Sequence, residues 1–136
     1  MSRTPSKAPT PQGLRIRLVF EDGSMLGPGK ADLLEAIRET GSISAAGRRM
    51  GMSYKRAWML VETLNATFAT PLVERSRGGA AHGGATLTDA GGRVLALYRD
   101  MVARAAAAAD GNIAELRRMR ADTPAKGATR RTPAGV

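Results

Sequence analysis

The chain has no cysteine and a single histidine, His82. Without thiols there is no disulfide framework and no cysteine-based zinc site, and nothing in the composition points to an oxidising compartment. No stretch approaches the roughly 20 apolar residues of a membrane span, and the opening MSRTPSKAPTPQG leads into no apolar run of signal-peptide length. These absences lead to the expectation of a soluble, cytoplasmic protein. At 136 residues the chain has room for one modest core with tails.

Acidic residues are also scarce, 12 against 21 Lys and Arg, for a formal charge of +9. The excess is local. Residues 1–40, 41–78, 79–116 and 117–136 carry net charges of +1, +4, −1 and +5. Such a distribution favours a polyanionic partner met by residues 41–78 and by the C-terminal end, rather than a uniformly solvated surface.

Residues 1–13 hold three prolines and no core-forming run, and are expected to form a disordered arm. LRIRLVFEDG alternates Leu14, Ile16 and Leu18 with Arg15 and Arg17, the period of a half-buried strand that turns near Asp22 and Gly23. That strand needs a partner, and the later hairpin is a candidate. KADLLEAIRETG spaces Leu33, Leu34 and Ile37 helically and stops at Gly41. SISAAGRRM gives a short helix capped by Ser42 or Ser44 and ended by Gly51, after which Ser53 caps a longer helix with Ala57, Leu60, Val61, Leu64 and Phe68 on one stripe.

Pro71 breaks that helix, and residues 72–76 and 85–88 then flank a glycine-rich tip as two short strands. Thr88 and Asp89 cap a helix carrying Val94, Leu97, Tyr98, Met101, Val102 and Ala105; Asp110, Gly111 and Asn112 interrupt it before a weaker helical stretch, IAELRRM. From Asp122 the composition predicts a disordered basic tail, so the organisation is arm 1–13, domain 14–121 and tail 122–136. Helix, helix, turn, helix, two-stranded wing, helix is the order of a winged helix-turn-helix: mainly α with a small β-wing and a long C-terminal helix. The apolar residues of that last helix exceed what one small domain covers, which predicts a homodimer burying Leu97, Tyr98, Met101 or their neighbours.

In a helix-turn-helix the second helix enters the major groove by its N-terminal end. Ser53, Tyr54, Lys55 and Arg56 occupy that end. Lys and Arg donate to guanine O6 and N7, Ser and Tyr to phosphate or base acceptors, and the helix N-terminus favours an anion. Taken alone the tetrapeptide is equally an ordinary solvated helix start; the neighbouring short helix, the Gly51 turn and the basic hairpin favour double-stranded DNA.

ISAAGRRMGMSYKRAW, then LVERSRGG and GGATLTDAGGRVLALY, resemble the N-terminal DNA-binding domain of the ModE-type molybdate-responsive transcriptional regulators, over about residues 14–105. A more distant similarity links the pattern to the LysR-type helix-turn-helix. The resemblance implies operator binding as a symmetric dimer. It puts Ser53, Tyr54, Lys55 and Arg56 in the major groove, and Arg75, Arg77 and the loop from Gly78 to Gly84, with Gly79 and His82, on the backbone or minor groove. Ser44 and Arg48 become phosphate contacts, and Trp58 matches a family tryptophan, read here as a core aromatic anchoring the recognition helix. ModE-type regulators continue into small β-barrel domains that bind the oxyanion, for which 136 residues leave no room, so the expectation is a stand-alone DNA-binding domain.

His82 has no neighbouring ligand of strength, so no metal site is expected. GGAAHGGAT lacks the Lys and Ser/Thr of a phosphate-binding loop. Asp32, Glu35 and Glu39 share a helix with Arg38 but no nucleophile accompanies them, and they are expected to form a solvated face. No cofactor and no catalysis are expected. The expected function is a sequence-specific, dimeric transcriptional regulator, with a nucleoid-associated protein coating DNA through charge as the alternative and a protein-docking module as a third reading.

Overall fold

A computed structural model describes residues 13–76 and 84–121. The arm, apart from Gly13, the wing tip at 77–83 and the tail from 122 lie outside the described residues, and with them Arg77, Gly79 and His82. The elements run β1 (Leu18–Val19), β2 (Met25–Leu26), α1 (Pro28–Thr40), α2 (Ile43–Arg49), α3 (Tyr54–Thr67), β3 (Val73–Arg75), β4 (Ala85–Leu87), α4 (Asp89–Ala108) and α5 (Asp110–Met119).

The helix boundaries follow from local chemistry. Proline opens α1, where its missing N–H costs nothing, and Gly41 closes it in the left-handed conformation at φ 76°. Ser42 accepts from the Ala45 amide, Ser53 from Arg56 and Thr88 from Gly91, so each of α2, α3 and α4 starts on a hydroxyl cap. Of the two serines proposed for α2, Ser42 is the cap. Gly51, at φ 73°, makes the turn between α2 and α3.

The core forms where these helices cross. Leu33, Leu34 and Ile37 of α1, Ile43 and Ala46 of α2, and Ala57, Val61 and Leu64 of α3 are buried together with Leu72, Val73, Ala85, Leu95 and Tyr98. A side chain added at Gly47 would lie 3.0 Å from the Ala57 Cβ, so the small residue there sets the close crossing of α2 and α3.

The first strand does not join the wing. β1 pairs antiparallel with β2, Leu18 facing Leu26 and Val19 facing Met25, in a hairpin closed by the Asp22–Ser24 turn. A strand of two residues finds its partner across a tight turn more readily than across 50 residues of chain. The hairpin docks edge-on through Phe20, whose ring stands at 88° to Phe68 at a centroid distance of 6.0 Å. The wing is a separate antiparallel pair with register Val73–Leu87, Glu74–Thr86 and Arg75–Ala85.

Two further expectations are corrected. Asp110, Gly111 and Asn112 do not interrupt the C-terminal helix; the break falls at Ala109, and they form the first turn of α5. The carboxylates of α1 are not merely solvated. Asp32 and Glu35 both accept from Arg99 of α4, at 3.0 and 2.6 Å, and Glu39 pairs with Arg49 of α2, so this face ties α1 to its neighbours. Burial works against the charge on Arg99, but the two carboxylates outweigh it and hold the guanidinium more firmly protonated.

Candidate nucleic-acid interface

Ala57, Val61 and Leu64 fix one side of α3 in the core, which turns Tyr54, Lys55, Arg56, Met59 and Thr63 to solvent. The quartet Ser53, Tyr54, Lys55 and Arg56 expected from the sequence is exposed at the start of the helix. Ser53 spends a lone pair on the Arg56 amide at 3.1 Å and retains its hydroxyl proton as a donor. The same surface forms a shallow groove lined by Ser53, Lys55, Arg56, Met59, Leu60 and Thr63.

On α2, Arg48 is exposed and donates to the half-buried Ser44 hydroxyl at 3.1 Å, an i to i+4 pair on one side of the helix. Arg48 and its neighbour Arg49 are set apart by partner: Arg49 is engaged by Glu39. Cation and hydroxyl together make a donor surface beside α3, of the kind that binds phosphate oxygens.

The base of the wing is clamped to α3. Asn65 accepts from the Leu72 and Val73 amides at 2.8 and 3.1 Å and donates to the Val73 carbonyl at 3.1 Å, so one side chain satisfies three backbone groups. On the other strand, the Ala85 amide donates to the Gly41 carbonyl at 2.9 Å, and Gly84 bridges to Ser42. The wing is therefore attached both to α3 and to the turn between α1 and α2.

Arg75 at the end of β3 places its guanidinium carbon 5.9 Å from the centroid of Trp58. Trp58, expected to be a core aromatic, is half-buried: it packs against the core from its edge and offers a face to a cation of the wing. Neither this pairing nor Asn65 was anticipated from sequence. Met59 and Thr63 join the exposed surface of α3 as well; for Met59 the spacing of four and three residues from Lys55 and Arg56 is the signal in the sequence.

Among the three residues expected in a dimer contact, Leu97 is 52% exposed and Met101 half-buried, but Tyr98 is only 4% exposed. Its hydroxyl donates to the Ile16 carbonyl at 2.6 Å, which ties α4 to the segment before β1. Tyr98 is thus part of the protomer's own core and is withdrawn as an interface residue. Among the described residues no cluster of three His, Cys, Asp or Glu side chains is placed to hold a metal ion, and no helix is long and apolar enough to cross a membrane.

Residues 30–92 match the bacterial regulatory helix-turn-helix protein family of the LysR type. The molybdenum-pterin-binding protein MopB of Rhodobacter capsulatus is 49% identical over 76 residues, which cover 56% of this chain and 28% of that protein. The molybdenum transport protein ModE of Azotobacter vinelandii is 42% identical over 85 residues, 62% of this chain and 32% of the relative. The chain therefore spans about a third of the length of the curated relatives it matches. Among solved structures, a complex of the CbnR DBD with DNA superposes with a TM-score of 0.52 at 27% identity, covering 65% of this chain and 95% of that one.

Proposed function

We propose, from the premise that residues 30–92 form a LysR-type helix-turn-helix related to the N-terminal region of the ModE-type regulators, that this chain is a sequence-specific DNA-binding transcriptional regulator acting as a homodimer in the cytoplasm. The observation that carries the proposal is the exposed N-terminal turn of α3, where Ser53, Tyr54, Lys55 and Arg56 project from a helix whose other side is locked in the core. The neighbour of similar fold is itself a complex with DNA, which supports the same partner.

In this reading Lys55 and Arg56 donate to base edges in the major groove, where guanine presents two acceptors side by side. Tyr54 and the free proton of Ser53 supply donors to a phosphate or base acceptor at the rim. Ser44 and Arg48 on α2 and Arg75 at the wing base, with Arg77, Gly79 and His82 further along the sequence, take the sugar–phosphate backbone and fix the register. None of these roles requires a cofactor, a metal or a catalytic step. The domain that does this work is residues 14–121.

The test is selection of short duplexes from a genome-derived pool at near-physiological salt, followed by comparison with scrambled controls. Enrichment of an inverted repeat is the expected result. Tight binding with no enriched sequence would instead establish coating through charge, since that mode depends on phosphate neutralisation alone.

A further inference from the structure

Met59 is the one long apolar side chain that α3 exposes beyond its first turn, with 54% of its surface accessible. It stands four residues after Lys55 and three after Arg56, and shares their groove with Ser53, Leu60 and Thr63. An isolated exposed methionine on a helix needs no explanation in general. This one lies on the surface that the proposed function turns towards DNA, in the groove it shares with Lys55 and Arg56.

In the major groove an apolar side chain has one distinctive partner, the C5-methyl group of thymine. The other groups presented there by the four base pairs are hydrogen-bond donors and acceptors, against which a thioether gains little. Methionine suits the methyl because its unbranched, polarizable chain adapts to a neighbour whose position is set by the hydrogen-bonded cations around it.

We infer that Met59 is a specificity-determining residue that packs against a thymine methyl group in each half-site. The inference rests on the regulator reading above and names one base that the regulator selects. Helix geometry also limits where that base is. Four residues of α-helix advance about 6 Å, and successive bases of one strand are roughly 3.4 Å apart. The thymine therefore lies within about two base pairs of the position read by Lys55.

The methyl can be removed without touching any hydrogen-bonding group by replacing thymine with deoxyuridine. In the duplex selected by the full chain, each thymine is replaced in turn and binding is measured for the wild type, Met59→Ala and Met59→Leu. One thymine per half-site is expected to cost the wild type about fourfold in affinity, the equivalent of one buried methyl-sized group. The penalty should disappear in Met59→Ala and persist in Met59→Leu, which retains an apolar side chain of similar volume. Because Met59 is exposed, thermal unfolding should be nearly the same in all three proteins.

Tolerance of deoxyuridine at every position would overturn the assignment while leaving the regulator reading intact. A penalty that survives in Met59→Ala would also overturn it and pass the methyl contact to another side chain, with Tyr54 the next to test. If the pool yields no enriched duplex at all, sequence-specific recognition itself fails, and the role of Met59 fails with it.

Discussion

The guanidinium of Arg75 lies over the indole face of Trp58, 5.9 Å from the ring centroid. One residue belongs to the wing and the other to α3, so the pair joins the two surfaces proposed to meet DNA. The aromatic face restricts an otherwise free cation at an exposed strand end, which lowers the ordering cost of a phosphate contact.

Arg75→Ala should therefore weaken binding almost uniformly across DNA sequences and lower the salt slope of affinity by about 1. Trp58→Leu should reproduce part of that loss, about 0.5–1 kcal/mol, with Trp58→Phe intermediate. Trp58 is the chain's only tryptophan, so its emission should also shift on Arg75→Ala in the absence of DNA. An unchanged spectrum would show that the two groups are independent in solution.

Lys55→Ala and Arg56→Ala should behave differently from Arg75→Ala. Each is expected to cost about 1–3 kcal/mol on the selected duplex and much less on random DNA, because a base contact is lost and not just a phosphate contact. Titrations of both variants against selected and scrambled duplexes measure the ratio directly. Equal losses on the two duplexes would move these residues from base reading to backbone contact.

The parts of this architecture written in short-range chemistry were legible in the sequence. Serine or threonine hydroxyls before α2, α3 and α4, and glycines at Gly41 and Gly51, mark the helix ends because caps and left-handed turns depend on the residues beside them. The exposed quartet followed from its place at the start of α3, just after the Gly51 turn. Relationships across the fold were not legible. Arg99 meets Asp32 and Glu35 from more than 60 residues away, and Asn65 turns inward to serve wing amides that no local pattern links to it. The partner of β1 was missed because β2, at two residues, is too short to show a period. Tyr98 was misassigned because an apolar stripe has the same spacing whether it faces its own core or a second protomer.

Gly91, in the first turn of α4, allows that helix to approach the strand end before β3. A Cβ there would sit 2.2 Å from the Leu72 carbonyl oxygen, a backbone atom that cannot rotate away. Gly91→Ala should thus push α4 off the wing and destabilise the domain by about 1–3 kcal/mol, despite the better helix propensity of alanine. Gly92→Ala, whose added carbon meets nothing within 4 Å among the described residues beyond its chain neighbours and its own helix backbone, is the matched control and should be neutral or stabilising. Thermal unfolding of the two variants checks the contrast.

Leu97 and Tyr98 are adjacent on α4 and should respond to substitution in separate ways. Leu97→Glu places a charge on an exposed apolar position and is expected to shift the proposed homodimer towards monomer, as sedimentation would record, with little change in protomer folding. Tyr98→Phe should leave the association unchanged but cost about 1 kcal/mol in stability, because the Ile16 carbonyl loses its donor. Burial raises the Tyr98 pKa above its ordinary value of 10.0. The folded state therefore retains the phenolic proton that an unfolded tyrosine gives up. Its contribution is complete below the unfolded pKa and is lost as pH rises through the folded one. Wild-type stability should fall more steeply than that of Tyr98→Phe above about pH 10. Parallel pH profiles of denaturant unfolding would contradict this burial, whereas dissociation by Tyr98→Phe would return the side chain to the dimer interface.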